Sequence, residues 1–130
     1  MSFTVTEIAA LVFASLNVVV AIFYLALAFG APWGEYAMGG KFPGVFPPKM
    51  RIVAVSVLPT YFFLSYVIIA RAGFVTGSHP YLFPAAWAVV GLIALATIMN
   101  LMSPSLPERR IWTPIAFLLL LTSALVASSS

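Results

Sequence analysis

The chain has no cysteine, a single histidine, and only nine charged side chains (six Lys or Arg and three Asp or Glu) among 130 residues. The missing thiols exclude disulfides, thiolate metal sites, iron–sulfur clusters and thiol relays together. One histidine, His79, cannot supply a two-histidine haem or a zinc site within one copy of the chain. No serine stands near it in the strand–turn–helix setting of a nucleophile. We expect no metal and no cofactor. The shortage of charge excludes more. A soluble domain carries roughly a quarter charged residues, and this chain is 7% charged and 63% hydrophobic. Nine charges cannot cover a water-soluble surface, so most of the surface must face lipid. The net charge of +3 is split among loops, which gives no nucleic-acid footprint.

What is present is a set of long apolar runs. A helix that crosses a membrane needs about 20 mostly apolar residues, and four stretches qualify: residues 8–29, 52–70, 82–102 and 111–127. Backbone polar groups in lipid must be satisfied within the segment, which selects helices. Alternating ten-residue segments of the kind that build barrels are missing. The predicted fold is therefore an all-α, four-helix, up-and-down transmembrane bundle forming one domain over residues 1–130. Residues before Glu7 include no Lys or Arg, and the run that follows is longer than a signal-peptide core of about 7–15 residues. The first span is expected to be a permanent helix. Pro104 and Pro107 are expected to end the third span sharply, with Pro114 in the first turn of the fourth.

Lys41, Lys49, Arg51, Arg109 and Arg110 fall on one side of this arrangement and Arg71 on the other. The positive-inside rule then places the first and third loops in the cytoplasm and both termini outside it. Trp33, Tyr36 and Trp112 are expected in an inner aromatic belt, and Tyr81 with Trp87 in an outer one. In the first span Ala10, Ala14, Asn17, Ala21, Tyr24 and Ala28 recur in steps of three and four. Ala116, Leu120, Ser123 and Ala127 repeat the pattern in the fourth. Such small-residue seams let helices approach closely.

Polar groups within the spans are few. No Asp, Glu, Lys, Arg or His lies near a span centre, whereas proton-coupled carriers generally keep one there. Glu7 sits at the outer edge of the first span, where it suits headgroups or a helix amino end. Asn17 lies mid-span and needs a partner on another helix or in a cavity. Thr60 and Ser56 bracket Pro59, which leaves the Val55 carbonyl without its helical donor and predicts a kink that a nearby hydroxyl can repair.

The remaining chemistry gathers in "GAPWGEYAMGGKFPGVFPPKMR", residues 30–51, and "MNLMSPSLPERRIWTP", residues 99–114. "GGK" is not a phosphate-binding loop, because Phe42 stands where Ser or Thr is needed. Glu35, Arg51, Asn100, Ser103, Glu108, Arg109 and Arg110 are candidate ligand- or headgroup-binding residues. The arginines suit an anionic head, since basic pockets between spans hold such lipids. The plainer alternative makes these charges interfacial anchors, with Glu35 and Glu108 neutralised by neighbouring arginines. The glycines and prolines of residues 30–51 specify more conformation than a bare connector requires.

These two stretches resemble a family of small four-span bacterial integral membrane proteins to which no activity is attached. In that family a Gly-Ala-Pro-x-Gly-Glu stretch follows the first span, and an Asn followed by Ser-Pro-Ser-x-x-Glu-Arg closes the third. The match places Trp33, Gly34, Glu35, Gly39, Gly40, Asn100, Ser103, Glu108, Arg109 and Trp112 in shared motifs. Leu106 and Pro107 make the turn before Glu108 stiffer here. The resemblance implies four spans in a bacterial inner membrane and no particular activity. Three functions follow as expectations. The chain is an accessory subunit of a larger membrane protein or a bundle holding a lipid-like ligand. It is otherwise a dimeric small-molecule transporter, or an enzyme on a lipid or isoprenoid using Glu35 or Glu108 as acid or base. The bilayer, an anionic lipid and a membrane protein or second copy are the expected partners.

Overall fold

The computed structural model describes residues 3–75 and 80–129, so His79 lies outside the described residues. Five α-helices appear: α1 (Val5–Ala28), α2 (Pro48–Ser56), α3 (Leu58–Arg71), α4 (Leu82–Leu101) and α5 (Leu106–Ala127). α2 and α3 together make one broken span, giving four helical segments long and apolar enough to cross a membrane. Each span packs on the next in chain order and α1 also packs on α5, which closes an up-and-down four-helix bundle. The protein is a multi-pass membrane bundle, as its composition predicts.

Local chemistry sets the helix ends. At α1 the Thr4 hydroxyl accepts the Glu7 N–H while the Glu7 carboxylate accepts the Thr4 N–H at 3.1 Å. This reciprocal cap satisfies two donors that the first turn leaves open and starts the helix earlier than hydropathy predicts. Glu7 is consumed there. In the second span Val57 separates α2 from α3, and Pro59 falls in the first turn of α3. The Ser56 hydroxyl donates to the Val53 carbonyl at 2.6 Å, restoring a partner beside the break. Thr60 does not share that work: its side chain is exposed on the outside of the bundle.

The fourth span corrects the sequence reading most. α5 begins at Leu106, with Pro107 in its first turn and Pro114 inside the helix. A proline in the first turn costs nothing, because its missing N–H has no intrahelical acceptor. Pro107 therefore opens the helix rather than blocking it. Pro114 instead leaves the Arg110 carbonyl, four residues back, without its usual donor.

Both predicted seams face inward. Ala10, Asn17 and Ala21 of α1 and Ala116, Ser123 and Ala127 of α5 are buried. Large residues such as Val18, Ile22, Leu118 and Leu121 face out toward lipid. Since lipid tails are as apolar as leucine, close contact between small residues holds such helices together, not hydrophobic transfer. The interior divides in two. One apolar cluster, with Phe13, Ile68, Ala86 and Val126, fills the half nearer the termini. There Arg71 donates to the Ala127 and Ser129 carbonyls, satisfying the end of α5. A smaller cluster of Leu27, Ala37, Phe46 and Ala54 occupies the opposite end.

Candidate functional site

Residues 30–47 fold back over that opposite end. Two short 3₁₀ turns, Gly34–Tyr36 and Met38–Gly40, shape the path. The Gly34 N–H donates to the Gly44 carbonyl at 2.9 Å, and a Cβ on Gly34 would lie 1.8 Å from the Phe42 carbonyl oxygen. Only glycine permits that crossing. Ala37 and Phe46, 2% and 1% exposed, anchor the segment among Leu27 and Ala54. At its far end Arg51 Nε donates to the Phe46 carbonyl at 3.0 Å. The segment is a folded cover with a core of its own.

Three hydrogen bonds tie this cover to the start of α5. The Gly39 N–H donates to Glu108 Oε2 at 2.8 Å, the Ser105 hydroxyl donates to the Glu35 carbonyl, and Trp112 Nε1–H donates to the Tyr36 carbonyl at 2.7 Å. Gly39 holds its amide in place with a φ of 70°, a left-handed conformation that side chains disfavour.

Glu108 reaches across because its local duty is already filled. Ser105-x-x-Glu108 repeats the pattern of Thr4-x-x-Glu7, and Ser105 likewise accepts the Glu108 N–H, at 3.3 Å. The Ser105 N–H, however, donates to Ser103 Oγ at 3.2 Å. The Glu108 carboxylate is therefore free to leave its own helix cap and bind the cover. It is 9% exposed. One oxygen takes the Gly39 N–H; the other has no hydrogen-bond partner among the described residues.

The arginines do not neutralise it. Arg109 and Arg110 are exposed, since neighbouring residues on a helix point about 100° apart. Arg51 is engaged with Phe46 and lies against Gly30. Glu35 is exposed, and only its backbone carbonyl makes a contact with the third loop. The expected pairing of Glu35 and Glu108 with arginines is absent among the described residues. The amino end of α5 favours a negative charge by about 0.3–1 kcal/mol. Burying a carboxylate costs several kcal/mol, so that help is partial.

Between the cover and the main core lies a cavity. Its inner part, about 90 Å³, is floored by Val20, Ile93, Ala116 and Leu119. It continues into a groove of about 840 Å³ flanked by Met38, Met50, Met99 and Met102. Tyr24, Tyr61, Ala96, Asn100 and Glu108 line both parts, which makes one depression with a wide mouth and a narrow floor. The Tyr24 and Tyr61 rings stack with centroids 6.0 Å apart, and Trp112 packs edge-on to Phe23 at 4.7 Å. Asn100 Nδ2 donates to the Ala96 carbonyl at 3.0 Å, leaving its own oxygen as an acceptor.

Of the sequence candidates, Asn100, Ser103 and Glu108 gather at this site. Glu35, Arg109 and Arg110 stay on the surface, Arg110 beside a shallow depression with Tyr36 and Pro107. Asn17, 2% exposed, donates to Ser65 Oγ at 3.0 Å and so links α1 to α3. Its Oδ1 is buried without a partner among the described residues. Tyr24, Tyr36, Tyr61 and Trp112 were not legible as site residues; Tyr36 and Trp112 turn inward from the expected belt. Among the described residues no three His, Cys, Asp or Glu side chains come together as metal ligands. No family model, curated protein or solved structure matches the chain.

Proposed function

We propose that this protein binds an amphipathic, lipid-like ligand in the cytoplasmic membrane of a bacterium. The ligand's head enters the cavity beneath residues 30–47 and its tail lies along the groove between the spans. The bias of Lys and Arg toward the covered end supports an orientation with that end in the cytoplasm and both termini outside. The observation that carries this reading is the continuity of the depression. A narrow inner part with an apolar floor opens, past Glu108, Asn100, Tyr24 and Tyr61, into a wider groove flanked by four methionines. Pockets of this kind hold ligands through mostly apolar walls and a few placed polar groups, and methionine walls adapt to varied shapes. Arg109 and Arg110 take the peripheral part: exposed near the start of α5, they attract anionic headgroups at the membrane surface.

Native mass spectrometry on protein released gently from its own membrane tests this. We expect a small lipid-like mass on the wild type that is lost from Ala96→Leu, which fills the cavity where its two parts meet. A bare bundle in both cases would reject the reading. A co-purifying subunit, retained by Ala96→Leu, would instead make the protein an accessory subunit.

A further inference from the structure

We infer that the head this cavity selects is an organic ammonium, an amine or quaternary nitrogen carried on an apolar body. The inference rests on the ligand-binding reading above and specifies the ligand. Four polar side chains line both parts of the depression, Glu108, Asn100, Tyr24 and Tyr61, and the one charge among them is the negative charge of a carboxylate. Glu108 has one oxygen bound to Gly39 and one without a partner. Asn100 has spent an N–H on the Ala96 carbonyl, and its oxygen has no partner among the described residues. Tyr24 and Tyr61 line the depression with their rings stacked on each other, and the ring faces outside that stack attract cations. Trp112 has committed its only donor to Tyr36. The cations nearby do not compensate the carboxylate: Arg51 is engaged with Phe46, Arg109 and Arg110 lie on the surface, and Lys41, which lines the wide outer groove, is exposed and forms no ion pair with Glu108 among the described residues. An anionic head would meet a largely buried carboxylate that has no ion-pair partner among the described residues. At the amino end of α5 the Glu108 N–H is already taken by Ser105, and Pro107 has no N–H to offer. A cation supplies the charge that the site lacks.

The test compares three heads on one tail. Wild-type protein in phosphatidylglycerol nanodiscs is titrated with decyltrimethylammonium, decanol and decyl sulfate below the concentrations that disrupt the disc, with tryptophan emission as the readout. We expect the ammonium to bind at least tenfold more tightly than decanol, and the sulfate weakest. Glu108→Gln keeps an oxygen for the Gly39 N–H and should weaken the ammonium at least tenfold while leaving decanol unchanged. Equal binding of ammonium and decanol would overturn the charge inference and leave the cavity reading standing. Binding of none of the three would overturn both. Tighter binding of the sulfate would overturn the inference without recourse to any variant, so misfolding of Glu108→Gln cannot rescue it. Phosphatidylethanolamine added to the discs separates two sources of the supported chemistry. Competition with decyltrimethylammonium assigns the ammonium to a membrane lipid, and lack of competition assigns it to a free hydrophobic amine.

Discussion

Gly34→Ala should open the cover over the cavity, and the structure sets the size of the effect. The added methyl would sit 1.8 Å from the Phe42 carbonyl oxygen and 2.8 Å from that of Gly44. Both obstacles are backbone, so no side chain can swing aside, and residues 34 and 44 must separate. The hydrogen bond between them goes with that movement, a net loss of about 0.5–1.5 kcal/mol. Phe46, anchored two residues beyond Gly44, is drawn partly from its pocket, and full exposure of such a ring costs about 1.5–3 kcal/mol. A total of about 2–4 kcal/mol is expected. Gly39→Ala provides the contrast. There the new methyl meets only the Pro104 ring at an ordinary 3.5 Å, and the penalty is the left-handed backbone, about 1–2 kcal/mol. The assay is trypsin cleavage after Lys41, which is exposed in the middle of the cover. When reclosing outpaces cutting, cleavage follows the open population. Gly34→Ala should therefore be cut at least about 30-fold faster than wild type, and Gly39→Ala about 5- to 30-fold faster. Cleavage of Gly34→Ala at the wild-type rate, or slower than Gly39→Ala, would refute the steric account of this crossing.

Three further outcomes are expected. Glu35→Ala should change detergent stability by no more than about 0.5 kcal/mol, because the exposed side chain has no ionic partner among the described residues. In double-mutant cycles with Arg109 or Arg110 it should be additive; a clear coupling would restore the salt bridge that the structure lacks. Asn17→Leu removes one interhelical hydrogen bond, worth about 0.6 kcal/mol in membranes, together with a buried acceptor that has no partner. Unfolding titrations should show a net change below about 1 kcal/mol, and a loss above about 2 would mean that Oδ1 has a partner of its own. Arg71→Ala takes a charged donor from the Ala127 and Ser129 carbonyls, so hydrogen exchange at residues 124–129 should quicken by a factor matching about 1–2 kcal/mol. Unchanged exchange there would show that Arg71 does not hold the end of α5.

The four spans were legible because lipid imposes a composition that nothing else in a chain of this length produces. The seams on α1 and α5 were legible for a similar reason: helical periodicity carries a repeated small residue onto one face. The start of α5 was not, because Pro107 is compatible with either the end of one helix or the opening of the next. Ser105-x-x-Glu108 was the signal that could have decided it, as a helix-capping pattern. The ionic partners of Glu108 were misread for a geometric reason. Arg109 and Arg110 adjoin it in sequence, but consecutive helical residues diverge, and its actual partner, Gly39, is 69 residues away. Tyr24 and Tyr61 meet across two helices, and nothing in the neighbourhood of either announces the other.

The break at Val57 gives the second span two parts with unequal grip on the protein. α3 buries Leu64, Val67, Ile68 and Ala70 in the bundle, whereas α2 buries only Ala54. A membrane that thins or thickens must be accommodated by tilting or bending its helices, and this span yields at its weaker joint. The groove takes Met50 from α2 and Tyr61 from α3, so its two edges sit on opposite sides of that joint. Bilayer thickness thereby becomes a mechanical input to the width of the mouth. The same protein, reconstituted in short-chain and long-chain lipids, is expected to hold the proposed ligand with different strength, while Asn17 and Ser65 deeper in the bundle stay in register.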